Sequence, residues 1–181
     1  MDLSSDTVGI RLFVILILLA LSAFFSSSET ALTTVNKIRI RNLAEAGDKQ
    51  AGYVMKLGEN QARMLSAILI GNNVVNLSAS SMVTVLVTDV FGSSFAGIAT
   101  GVLTLLILIF GEITPKTVAT LESERNALRC AHVIYTLMIA LTPLILLVNW
   151  MSSGVLKLLH VDPNKRNDDM TEDELRTIVE V

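Results

Sequence analysis

The chain has 181 residues, 51% of them hydrophobic and only 17% charged, with a formal net charge of -3. A soluble domain of this size needs more charge to cover its surface, and a weakly acidic chain offers no basic footprint for nucleic acid. The single cysteine, Cys130, excludes an intrachain disulfide and a cysteine-built metal site.

The apolar residues gather in four blocks, at 12–25, 64–87, 95–110 and 130–151. Crossing the hydrocarbon of a bilayer takes about 20 helical residues, so an all-α membrane protein is expected. The first block does not resemble a signal peptide. Asp2 and Asp6 precede it with Arg11 as the only base, and it runs on into Ser26, Ser27, Ser28 and Glu29. It predicts a retained helix over 8–28. The next segment carries Lys37, Arg39, Arg41, Lys49, Lys56 and Arg63, with Val35, Ile38, Ile40 and Leu43 interleaved. This pattern predicts two short amphipathic helices within 30–61, separated at Gly47 and Asp48. Its six bases place it in the cytoplasm and the N-terminus outside.

A second span is expected over 62–88. The short connection after it has no base and suits the outer side. A third span over 95–114 returns the chain to Lys116, Arg125 and Arg129. The fourth block is long enough to cross, but crossing would put Lys157, Lys165, Arg166 and Arg176 outside, and Pro143 removes a backbone donor from its middle. A broken belt helix over 126–159, lying along or dipping into the inner leaflet, is therefore expected, with four spanning helices as the alternative. The membrane domain then covers 1–160. Residues 161–181 begin an acidic cytoplasmic linker, where Thr171 and Glu174 fit a capping box.

The three expected spans carry polar residues that hydrocarbon does not tolerate unpaired. Ser22 and Ser26 share a face of the first. In the second, Asn72, Asn76 and Ser80 share a face at i, i+4 and i+8. The third ends in Gly111-Glu112-Ile113-Thr114-Pro115-Lys116. An ionisable residue at that depth is a functional candidate by default. In a regular helix the amide of residue 115 would bond the Gly111 carbonyl; Pro115 has no amide, so that carbonyl is freed. Serines and asparagines can also simply bond between helices, and Glu112 could pair with Lys116 one turn on.

Taken as ligands, these groups are all oxygens, with one carboxylate and neither sulfur nor imidazole. His132 and His160 lie elsewhere. Such a set fits a hard cation, Mg²⁺, Ca²⁺ or Na⁺, and not zinc or copper. One carboxylate leaves a divalent ion with net positive charge, so the site should bind weakly and release readily. Gly97 and Gly101 form a GxxxG pattern that permits close helix approach.

The runs Leu21–Ala31, Gly71–Asn76 and Gly111–Lys116, in this order and spacing, resemble the membrane domain of the CorC/CNNM (cyclin M) family. The resemblance covers about residues 8–181. It implies a homodimeric Mg²⁺ transporter of the cell (inner) membrane, an exporter driven by Na⁺ entry in many members. The implied architecture is three spans, a cytoplasmic helix pair and a juxtamembrane belt. The implied metal ligands are Ser22, Ser26, Asn72, Asn76, Gly111 and Glu112, with Pro115 structural at the site. Some relatives carry Asn at the position of Glu29. Full-length members continue into paired cystathionine-β-synthase modules that bind ATP with Mg²⁺; that region is absent from these residues, and ATP is a partner only through it.

The competing reading is a non-transporting anchor or regulatory subunit in which the polar groups only glue helices. No nucleophile–base pair, phosphate loop or intramembrane protease motif is present, so an enzyme is not expected. From the residues alone, Mg²⁺ is not separated from other hard cations; that choice rests on the resemblance.

Overall fold

A computed structural model describes residues 5–158, with side-chain surroundings given over 7–154. The described secondary structure is entirely helical. It comprises α1 (Ser5–Thr34), α2 (Lys37–Glu45), α3 (Lys49–Glu59), α4 (Gln61–Phe91), a 3-10 turn (Ser93–Phe95) and α5 (Ala96–Leu106). A π-helical stretch (Ile107–Ile113), α6 (Thr114–Leu121), α7 (Ser123–Ala140) and α8 (Thr142–Leu158) follow. The linker expected over 161–181, with Thr171 and Glu174, lies outside the described residues, as do His160, Lys165, Arg166 and Arg176.

Among the described residues, three helical stretches are long and apolar enough to cross a bilayer: Thr7–Thr34, Gln61–Phe91 and Ser93–Leu121. A fourth crossing requires α7 and α8 to be counted together across the break at Leu141. Helix ends fall beyond those expected. Nothing in residues 29–34 interrupts α1, whose Thr33 and Thr34 hydroxyls bond back to the carbonyls of Glu29 and Thr30 at 2.8 and 2.7 Å. The first helix therefore runs six residues past Ser28, and the short pair is confined to 37–59.

The pair is built by local chemistry. Asn36 caps α2, its side-chain oxygen accepting from the amides of Ile38 and Arg39 at 3.0 and 3.1 Å. At the other end Gly47 takes φ +96°, a left-handed conformation that costs glycine least. The Gly47 amide then bonds the Ala44 carbonyl and the Asp48 amide bonds that of Leu43, both at 3.0 Å, closing a Schellman motif. Asp48 at once caps α3 by accepting from Gln50 and Ala51.

The chain divides into two compact units, Met1–Thr142 and Pro143–Val181. In the first, α1 is the hub, packing on α4, α6, α7 and the π stretch. Toward its N-terminal half, Ile15 packs with Ala79, Leu86 and Leu103. Elsewhere the contacts are made by small residues: Ala31, Ala51, Ala67, Ala119, Ala127 and Ala131 are fully buried. Small side chains let helix backbones approach where apolar burial gives no preference for protein over lipid. Large apolar side chains such as Phe13, Leu16, Leu69, Leu77 and Ile98 point outward, as lipid contact requires.

Charged and aromatic contacts fix the helix ends. Arg11 of α1 meets Asp89 of α4 at 2.6 Å, and Arg39 of α2 meets Glu124 of α7 at 2.6 Å. Tyr53 of α3 packs on His132 and Tyr135 of α7, with ring centroids 4.9 and 5.2 Å apart. Lys56 lies over both tyrosine rings. His132 thus joins α7 to the helix pair. α7 ends where the Leu141 amide bonds the Leu137 carbonyl at 2.8 Å, and Pro143 follows as the second residue of α8. Proline is tolerated at a helix start, so the broken belt helix is divided there. In the second unit, α8 exposes Leu146, Leu147, Trp150 and Met151.

Candidate functional site

α1 and α4 run antiparallel, as the Arg11–Asp89 and Ser22–Asn72 pairings show. Their closest approach is made possible by Gly71. A Cβ there would stand 2.7 Å from the Phe25 ring, closer than real atoms come. Phe25 itself is buried. Glycine at 71 is therefore a packing requirement: it lets the phenyl ring lie against the α4 backbone one turn from Ser22.

Ser22 is fully buried, and its hydroxyl donates to Asn72 Oδ1 at 3.4 Å, a long bond that leaves capacity on both groups. On its other side Ser22 touches the third span. A Cβ on Gly111 would lie 2.8 Å from Ser22 Oγ, so only glycine leaves the hydroxyl room against the backbone. Gly111 is buried in turn. Three of the expected residues, Ser22, Asn72 and Gly111, thus come from three different helical stretches into one contact.

Ser26 and Asn76 flank that contact. Each lies one turn along its own helix from Ser22 or Asn72, and because the helices are antiparallel the two stand on opposite sides. Side chains in a helix tilt toward its N-terminus, so both lean back toward the centre. Ser26 Oγ and Asn76 Oδ1 are buried and have no hydrogen-bond partner among the described residues. An unpartnered polar atom removed from water costs about 1–3 kcal/mol, and among buried groups it is the exception that calls for an explanation.

The third span reaches the site through the π stretch, which the sequence did not announce. The Thr114 amide bonds the carbonyl of Ile109, five residues back, and α geometry resumes at Thr114. The carbonyls of residues 110–112 then face only the amide positions of Pro115 and Lys116, and Pro115 has none. The expectation that proline frees the Gly111 carbonyl becomes a broader one. The wide turn and the proline together leave backbone oxygens of this segment without helix partners. Such π segments occur often at functional sites.

Glu112 is partly buried, and among the described residues it has no ion pair or hydrogen bond. The pairing with Lys116 is not made: Lys116 Nζ lies 3.2 Å from Glu29 Oε2. Among the described residues no three His, Cys, Asp or Glu side chains gather as a metal group. The donors are hydroxyl, carboxamide and backbone oxygens with a neighbouring carboxylate, a set chemically suited to a hard cation. Sequence reasoning missed Gly71's role, the π stretch and the Glu29–Lys116 pair. Of these only the last had a signal, two opposite charges each one turn beyond a site residue.

The model of the cyclin M transmembrane N-terminal domain matches residues 13–181. A UPF0053 protein of Haemophilus influenzae is 41% identical over 169 residues, covering 93% of this chain and 40% of that protein. The UPF0053 inner membrane protein YfjD of Escherichia coli is 37% identical over 160 residues, covering 88% of this chain and 37% of its own length. A protein of Salmonella typhimurium named polyamine export protein is 29% identical over 187 residues, covering 93% of this chain and 40% of its own. The chain spans about two fifths of the length of these curated relatives. With three apolar helices of spanning length and a family model matching nearly its whole length, the chain belongs to the cyclin M transmembrane N-terminal domain family and is embedded in the membrane.

Proposed function

We propose that the protein carries Mg²⁺ across the cell membrane, as an exporter coupled to Na⁺ entry, through a site formed by Ser22, Ser26, Asn72, Asn76, Gly111 and Glu112. The observation that carries this reading is the pair of buried oxygens without partners among the described residues, Ser26 Oγ and Asn76 Oδ1, on either side of the Ser22–Asn72–Gly111 contact. A hard cation satisfies such oxygens; helix glue would already have paired them. The lone carboxylate favours weak, reversible binding. In this reading α2 and α3 face the cytoplasm, since their bases follow the positive-inside bias. The working unit is a homodimer. Open space around exposed Gly97 and Gly101, where a second helix could approach, supports it.

The test is flux in proteoliposomes. Mg²⁺ efflux should respond to a Na⁺ gradient and fall by roughly tenfold or more in Glu112→Ala, with unchanged helical content and dimer mass. Undiminished flux would remove Glu112 from the site. A variant that lost dimer stability but no cation affinity would favour the anchor reading.

A second reading follows from the relative named as a polyamine exporter. An organic polycation would need several acceptors spaced along its length, and the described site offers one carboxylate. Spermidine should therefore compete poorly with Mg²⁺; tight competition would reassign the cargo.

A further inference from the structure

Resting on the cation-site reading, we propose that Glu29 is a positioning residue that holds the Lys116 ammonium away from Glu112 and so keeps the site's one carboxylate open to the cation. Lys116 follows Glu112 by one helical turn, the spacing at which a glutamate and a lysine attract each other. Its four-carbon stem lets the ammonium sweep over either neighbour. It pairs with Glu29 at 3.2 Å, while Glu112 stays without an ion pair among the described residues.

Glu29 lies three residues past Ser26 on α1, so the pair stands one turn from the site on both helices. Two other bases, of α2 and α7, are engaged elsewhere: Arg39 by Glu124 at 2.6 Å and Arg125 by Glu122 at 3.3 Å. Lys116 and Glu29 are 44% and 43% exposed at their side chains, so the pair adds little stability. A small free energy therefore decides which carboxylate holds the ammonium. The consequence is felt at the site. An ammonium within about 4 Å of Glu112 would neutralise the carboxylate and repel an incoming divalent ion.

The experiment is a calorimetric Mg²⁺ titration of the protein in lipid nanodiscs, comparing wild type with Glu29→Gln, Lys116→Gln, the double variant and Glu112→Ala. Glu29→Gln should weaken binding by roughly two- to tenfold, and less at high salt. The double variant should return to wild-type affinity or better, and Lys116→Gln alone should bind at least as well as wild type. Rescue by a second substitution also rules out misfolding as the cause of the loss. Unchanged affinity in Glu29→Gln overturns the proposal. A loss that Lys116→Gln does not repair overturns it as well, making Glu29 a contact of the ion or a fold element. Wild-type binding that ignores Glu112 sinks the cation-site reading and this inference together. Glu112-dependent binding without the rescue pattern sinks this inference alone.

Discussion

Ser26 separates two roles that most site residues confound. Its hydroxyl is buried, and its oxygen has no partner among the described residues. Were it only a packing group, Ser26→Ala would remove an unsatisfied polar atom and change nothing else. Replacement should stabilise the apo protein by about 1 kcal/mol in a denaturation assay, because no hydrogen bond is lost. If the hydroxyl meets the cation, the same variant should lose Mg²⁺-induced stabilisation, read as a smaller ligand-dependent shift in Tm. A gain in apo stability with a full Mg²⁺ shift would exclude Ser26 from the site. The residues at stake were legible as chemical types, since serine, asparagine and glutamate are conspicuous in apolar runs. Their geometry was not: that Ser22 would touch both Asn72 and Gly111 depends on two glycines whose fit is visible only once the helices are packed.

At the scale of elements, the spans were readable because a bilayer imposes a length and a charge bias on any sequence that crosses it. The glycine turn at Gly47 was readable for a local reason, whereas the cap at Asn36 went unread. The π stretch was not readable, because Ile107–Ile113 is as apolar and helix-compatible as its surroundings and a wider turn leaves no compositional trace. Its contribution can be isolated. Leu108 faces outward, and deleting it would let α geometry run through to α6. Because a π turn accommodates about one extra residue, the flanking helices would keep nearly the same facing, and the deletion would act on the widened turn itself. The deletion should keep helical content and membrane insertion, by circular dichroism and carbonate extraction, and abolish Glu112-dependent Mg²⁺ binding. Retained binding would make the π turn incidental.

For the molecule as a whole, topology is the quantity the charge pattern predicts most sharply. Cys130 is buried, so a thiol introduced elsewhere is read against a quiet background. In intact cells Ser93→Cys should react with an impermeant maleimide, and Lys49→Cys only after permeabilisation. The reverse pattern would invert the orientation and the assigned direction of transport. The belt was legible as a broken helix through Pro143, but its relation to the bilayer depends on neighbours and lipid, which no property of residues 130–151 specifies.

Arg11 and Asp89 sit near opposite ends of the described sequence of the first two spans, and each cancels the other's charge. During synthesis the guanidinium emerges 78 residues before its carboxylate. Until α4 is complete, α1 carries an uncompensated base at the edge of its apolar block, and lipid favours a position that leaves this group in the headgroups. Final seating of the first span, and with it the depth of Ser22, therefore waits on the last turn of the second. Nascent chains arrested before Asp89 should hold α1 shallower than the finished protein does.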